Sequence, residues 1–190
     1  MLETEGRALY NTAVLIGPEG VIGRYRKSHI ASIGVDCFTV RGNEPYKVLD
    51  TPVGRIGLQI CYDWRFPEIT RVLALQGAEM IIHPTNSPIQ AREIAEYITR
   101  ARAVENAVFF VTANRCGTEG GTVFFGWSQV VDPRGRRVVE AGAEETVLTA
   151  DLDLGRARDK VIEPQRGGYN VSLFDDRRPE LYSRLVGGDS

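Results

Sequence analysis

Apolar positions in the first half of the chain fall into short runs separated by glycine and proline. Tyr10 to Ile16 is apolar-rich, Gly17-Pro-Glu-Gly20 reads as a turn, and Val21 to Tyr25 resumes the run, which predicts a hairpin. A loop is expected from Ser28 to Asn43. A second hairpin is expected from Tyr46 to Leu49 and Arg55 to Ile60 around Thr51-Pro-Val-Gly54. The spacing of Leu and Ile after Pro67 is helical, and proline favours the first helical position, so a helix is predicted over Pro67 to Gln76. Met80 to Ile82 reads as a short buried strand. Ala91 to Asn106 reads as a long helix with Ile94, Ile98, Ala101 and Val104 or Glu105 on neighbouring faces. The β-branched and aromatic run Ala107 to Ala113 predicts a central strand.

Beyond that point the pattern is antiparallel. Trp127 to Val131, the turn Asp132-Pro-Arg-Gly135 and Arg137 to Glu140 form a third expected hairpin, and Thr146 to Leu152 a further strand. From about Gly155 the chain is polar and reads as a tail that needs a surface to pack on. Strands alternating with helices, flanked by hairpins, indicate one layered α/β domain over residues 1–190.

Composition narrows the function. Lys and Arg number 23 against 25 Asp and Glu, which argues against nucleic acid and anionic membrane as partners. No long apolar stretch or signal-peptide pattern is present, so a cytoplasmic location is expected. Cys37, Cys61 and Cys116 are an odd set without C-x-x-C spacing, which argues against both a disulfide framework and a metal site.

Cys61 stands out among them. It ends the strand-like run Arg55 to Ile60 and directly precedes Tyr62-Asp-Trp-Arg-Phe-Pro67, which places it on a sharp turn before a helix. That position suits a nucleophile whose product is an oxyanion, although a buried structural thiol fits the position equally well. The basic cluster Arg24-Tyr-Arg-Lys27-Ser-His29 reads either as a solvated strand edge or as the source of an ammonium near Cys61. His29 and His83 are the only histidines, and His83 reads as a satisfied core histidine. Asn86 and Asn114 each follow a predicted strand on the edge that carries Cys61. Either could face a substrate or form a turn.

Two segments carry a resemblance. Tyr25-Arg26-Lys27 followed by His29, and Gly57-x-x-Ile60-Cys61-Tyr62-Asp63-x-Arg65-Phe66-Pro67-Glu68, are similar to the lysine and cysteine signatures of the nitrilase superfamily, the carbon-nitrogen hydrolases. Tyr10 to Ala13, Asp50 to Gly54 and Arg100 to Asn106 fall in the matching order, and the resemblance runs from about Tyr10 to about Asp153. It implies a four-layer α-β-β-α sandwich that hydrolyses amides, N-carbamoyl amines or nitriles through a Glu-Lys-Cys triad, with neither metal nor organic cofactor. Cys61 would be the nucleophile, Lys27 the cation stabilising the intermediate, and Tyr62 the donor of an oxyanion-binding backbone N–H. Asp36 is the candidate for a second acid, with Glu44 its rival. Tyr62-Asp63 after the cysteine resembles amidases and carbamoylases more than true nitrilases, so an amide or ureido substrate is expected. The resemblance also implies a homodimer or larger homo-oligomer.

The triad glutamate, the general base, lies upstream of every motif matched here, and Glu3 and Glu5 are too close to Tyr10-Asn11 to replace it. The resemblance therefore implies an N-terminally incomplete domain with one short sheet and an exposed edge. A truncated enzyme and a catalytically impaired binding or scaffolding domain are the two readings, with the first preferred.

Overall fold

A computed structural model describes residues 1–162 and 167–187. Its first three strands, β1 (Leu2–Glu5), β2 (Ala8–Gly17) and β3 (Gly20–Arg26), form an antiparallel sheet in that order. The expected first hairpin is β2 and β3, turned at Gly17 and Gly20. The strand β1 was not anticipated, because Leu2-Glu-Thr-Glu5 has a single apolar residue. Its attachment is polar: Glu3 accepts hydrogen bonds from Thr12 Oγ1 at 2.8 Å and Arg26 Nη2 at 2.6 Å. Arg26 is 2% exposed in its side chain, also binds Glu5, and lies over the Tyr10 ring. The Arg26 guanidinium holds the Glu3 carboxyl down at about 2.

The later strands are β4 (Leu49–Thr51), β5 (Gly54–Leu58), β6 (Met80–Thr85), β7 (Phe109–Asn114), β8 (Cys116–Glu119), β9 (Thr122–Phe125), β10 (Gln129–Val131) and β11 (Arg137–Glu140); β8 and β9 pair as a separate hairpin, and the other six form the second sheet. Its order is β11-β10-β7-β6-β5-β4, with β5, β6 and β7 parallel. Parallel neighbours require crossovers, and α1 (Pro67–Leu75) and α2 (Arg92–Asn106) supply them.

Alternation along β6 explains the layers. Ile81 faces the helices, in one cluster with Ile69 and Leu73 of α1, Ala103 of α2 and Phe110. Met80 and Ile82 face the other way and join Ile56 and Leu58 against Ala13, Leu15 and Tyr25 of the three-stranded sheet. Gly57 permits the close approach of α1, since a Cβ there would lie 2.7 Å from Ile81 Cδ1 and 2.9 Å from Leu73 Cδ1. Three of the four expected layers are thus present among the described residues, and the first sheet has three strands against six in the second.

Two expectations need correction. The segment from Thr146 to Leu152 forms no strand, and Val147 is 89% exposed. Its alternation is real, but a strand needs a ladder partner, and none pairs with it among the described residues. The long helix starts at Arg92 and buries Ala95, Thr99, Arg102, Ala103 and Asn106, not the face of Ala101 and Val104. Small residues allow close packing there, and the three polar ones are hydrogen-bonded: Thr99 Oγ1 donates to Ala95 O at 2.8 Å, Arg102 Nε to Trp64 O at 3.0 Å and Asn106 Nδ2 to Arg102 O at 2.9 Å.

The polar tail does find a surface. It includes a short helix, α3 (Gly155–Arg158), after which Lys160 Nζ donates to Ala107 O at 2.8 Å and to Ala78 O and Asn106 O at 3.4 Å. Phe174 packs on the helix-side core.

Candidate active site

The cysteine turn is strained. Cys61 has φ +46°, a left-handed conformation unusual for a residue with a side chain, and opens a 3-10 turn over Cys61–Arg65 between β5 and α1. Asp63 closes this turn from within: its Oδ2 accepts the Ile60 N–H at 2.9 Å, and its own N–H donates to Ile60 O at 3.1 Å. The thiol is partly exposed, whereas Asp63 is fully buried.

The lysine turn is tied to the same carboxylate. His29 Nδ1 and the Tyr25 hydroxyl both donate to Asp63 at 2.8 Å, and the His29 N–H donates at 3.2 Å. Burial, together with the Asp63 charge, raises the Tyr25 hydroxyl far above its ordinary range and keeps it a donor. His29 also stacks on Phe66 with centroids 3.7 Å apart. The lysine and cysteine motifs, remote in sequence, therefore share one anchor. Asp63 organises the turn through His29 and Tyr25.

Lys27 follows β3, with its N–H donating to Asn11 O and its carbonyl accepting from Gly42 N–H, both at 2.8 Å. Its side chain is 3% exposed and its ammonium is paired with Asp36 Oδ2. Asn11 Nδ2 donates to Asp36 Oδ1 at 3.0 Å, and the Ala31 N–H donates to Oδ2 at 3.1 Å. Burial pushes the Asp36 carboxyl up, but the Lys27, Asn11 and Ala31 donors outweigh it, and the net shift is down. Asp36 is thus an ionised partner of the lysine. Its rival Glu44 is 42% exposed and pairs with Arg24 at 2.8 Å.

Cys61, Asp36, Asn11 and Asn86 line one cavity of about 670 Å³. Its opposite wall is the hairpin of β8 and β9, which contributes Glu119, Val123 and Phe124, with Arg115 just before it. Arg115 pairs with Glu119 at 2.5 Å and lies over the Phe124 ring at 4.6 Å. That pairing lowers the Glu119 carboxyl below its usual range. This wall was missed at the sequence level. Gly120-Gly121, with φ +55° and +79°, between Thr118-Glu119 and Thr122-Val123 was the available signal, since two residues of positive φ suit a tight hairpin.

The other candidates fall outside the cavity wall. Asn114 spends its side chain on Ser87 N–H at 2.9 Å and Gly126 O at 2.7 Å. The Tyr62 ring packs edge-on to Phe66 at 5.2 Å. His83 is fully buried, and burial pushes its imidazole down to about 4. Cys37 is exposed, and Glu3 and Glu5 are bound by Arg26.

A cysteine on a strained strand-to-helix turn of a two-sheet α/β sandwich, facing a cavity with a buried lysine–carboxylate pair behind it, defines a class of thiol-bearing sandwich proteins. The chain belongs to the carbon-nitrogen hydrolase family, whose sequence profile matches residues 1–160. A protein named nitrilase from Pyrococcus abyssi is 40% identical over 96% of this chain and 66% of its own length. An N-carbamoylputrescine amidase from Solanum tuberosum is 35% identical over 97% of this chain and 66% of its own. The chain thus spans about two thirds of the length of these relatives. Among solved structures, a carbon-nitrogen hydrolase from Helicobacter pylori superposes with a TM-score of 0.86 at 27% identity, covering 98% of this chain and 68% of that one. A glutamate-to-glutamine variant of an amidase from Nesterenkonia sp., carrying the acetamide moiety of fluoroacetamide on its active-site cysteine, superposes with a TM-score of 0.76 at 32% identity, covering 93% and 61%. The fold is the nitrilase-type sandwich.

Proposed function

We propose that this chain carries the cysteine and lysine of an amide hydrolase. The Cys61 thiolate attacks the carbonyl carbon of a non-peptide amide or N-carbamoyl amine, and the Lys27 ammonium and the Tyr62 N–H stabilise the oxyanion. The C–N bond then breaks as the leaving nitrogen takes up the proton that the Cys61 thiol gave up, ammonia or an amine departs, and water releases the acid from the thioester and restores the thiol. The observation that supports this reading is that Asp36, which holds the Lys27 ammonium, lines the same cavity as Cys61. An amidase whose cysteine carries an acetamide moiety and a relative named for a carbamoyl substrate support amide and ureido chemistry.

A second reading, a site impaired in turnover, has its own observation. Both carboxylates on the cavity wall are already paired, Asp36 with Lys27 and Glu119 with Arg115, whereas activating water against the thioester needs a free one. One experiment separates the two. Ammonia release from a panel of amides and ureido acids is measured alongside the intact mass of the protein. Steady release that Cys61→Ala abolishes and Lys27→Met lowers by about 10²–10³ supports the first reading. A stable acyl adduct on Cys61 without release supports the second. Full turnover by Cys61→Ala overturns both.

A further inference from the structure

His83 occupies a place that the chemistry above does not use. It lies on β6 on the same face as Ile81, directed at the helix side and away from the cavity, and it is fully buried. Its Nε2 is 2.9 Å from the carbonyl oxygen of Cys61. We propose that His83 is a positioning residue for the nucleophile, its Nε2–H holding the Cys61 carbonyl and thereby the left-handed backbone that presents the thiol. The proposal rests on the reading of Cys61 as nucleophile.

A left-handed conformation costs a residue with a Cβ about 1–2 kcal/mol, and it persists only where the surroundings enforce it. Two clamps flank Cys61. Asp63 fixes Ile60 on the side before it, through both the N–H and the carbonyl of that residue. On the other side, the Cys61 carbonyl opens the 3-10 turn and is also met by the imidazole of His83.

The tautomer follows from the partner. A carbonyl oxygen only accepts, so Nε2 carries the hydrogen, and Nδ1 faces Thr112 Oγ1 at 3.5 Å. The ring is held in place by Trp64 at 5.1 Å and Phe110 at 5.5 Å between centroids. Trp64 is itself fixed by Arg102, which donates to its carbonyl. A neutral ring suits the task, because burial disfavours protonation of His83 by more than the Cys61 carbonyl and the Asp63 charge favour it. The strained turn therefore rests on a rigid, uncharged donor mounted on a central strand.

The test uses the chain as it stands and reads thiol reactivity, which needs no general base. Alkylation by iodoacetamide near pH 8 is followed separately at Cys61, Cys37 and Cys116 by peptide mass spectrometry. His83→Phe keeps a ring but removes the donor, whereas His83→Gln keeps an N–H. The expected result is a loss of about tenfold in the Cys61 rate for His83→Phe, the factor equivalent to one hydrogen bond of ordinary strength, with near-normal rates for His83→Gln and for Cys37 in both. A wild-type rate in His83→Phe, or equal losses in both variants, overturns the proposal. Should His83→Phe fail to fold, ¹⁵N spectra of the wild-type chain, which has only two histidines, decide the matter. A buried imidazole protonated at Nε2 supports the assignment and one protonated at Nδ1 removes it. Wild-type Cys61 reacting no faster than Cys37 would instead count against the nucleophile reading.

Discussion

Lys27 and Asp36 bury opposite charges side by side, each 3% exposed in its side chain. Such a pair adds little net stability, but losing one member leaves the other charged and unpaired. Their carboxylate is held ionised below its usual range, while His83 is held neutral down to about 4. The two groups give acid lability in different windows. His83 binds its proton at a lower pH when folded than when unfolded, so between the ordinary histidine value and about 4 the unfolded chain holds more protons and stability falls as pH falls. Asp36 contributes stability above the ordinary aspartate value and loses it as pH drops through its lowered folded value. Chemical denaturation from neutral pH to acid should therefore show a decline that is shallower in His83→Gln in the upper window. Asp36→Asn should be less stable by about 3–5 kcal/mol at neutral pH and flatter at the acid end. An upper-window slope unchanged in His83→Gln would contradict this account. The motifs around Cys61 and Lys27, which carry the family resemblance, could be read from sequence because each is local. Asn11, Arg115 and the hold of His83 on a carbonyl could not, since each acts across strands that only the folded sheet brings together.

At the scale of elements, what was legible followed the period of the apolar pattern. The hairpin of β2 and β3, the parallel core of β6 and β7, and both α1 and α2 came from alternation, helical spacing and turn residues. Polar attachments carried no such signal. The strand β1 is held by Glu3 and Arg26, and the tail by Lys160 on the carbonyls that end α2 and the α1 turn. Lys160 sits where cations suit a helix C-terminus, although burial pushes its ammonium down to about 8. Replacing it with methionine keeps the stem and removes the donors. Lys160→Met should cost about 1–3 kcal/mol. Hydrogen exchange should then rise first at the C-terminal turn of α2, while the strands of the six-stranded sheet stay protected. Uniform loss of protection throughout would show that Lys160 does not act locally.

For the molecule as a whole, the junction between the sheets is the common support. Leu58 lies one residue beyond Gly57 on β5, in a small apolar cluster with Leu49 and Ile56 that meets Leu15 and Tyr25 of the other sheet. Leu58→Ala should lower stability by about 2–5 kcal/mol. Circular dichroism and tryptophan fluorescence should still report one coincident transition, because Asp63 ties the two sheets at the site as well. Separate transitions would mean that the sheets unfold independently. The knot at Asp63 has one more consequence. With the Cys61 turn and the Lys27 turn fastened to a single carboxylate, neither can be reshaped alone, whereas the hairpin carrying Glu119 and Phe124 meets the Cys61 turn through apolar packing of Phe125 with Trp64. Changes at the exposed residues of that wall can accumulate while the two turns stay fixed.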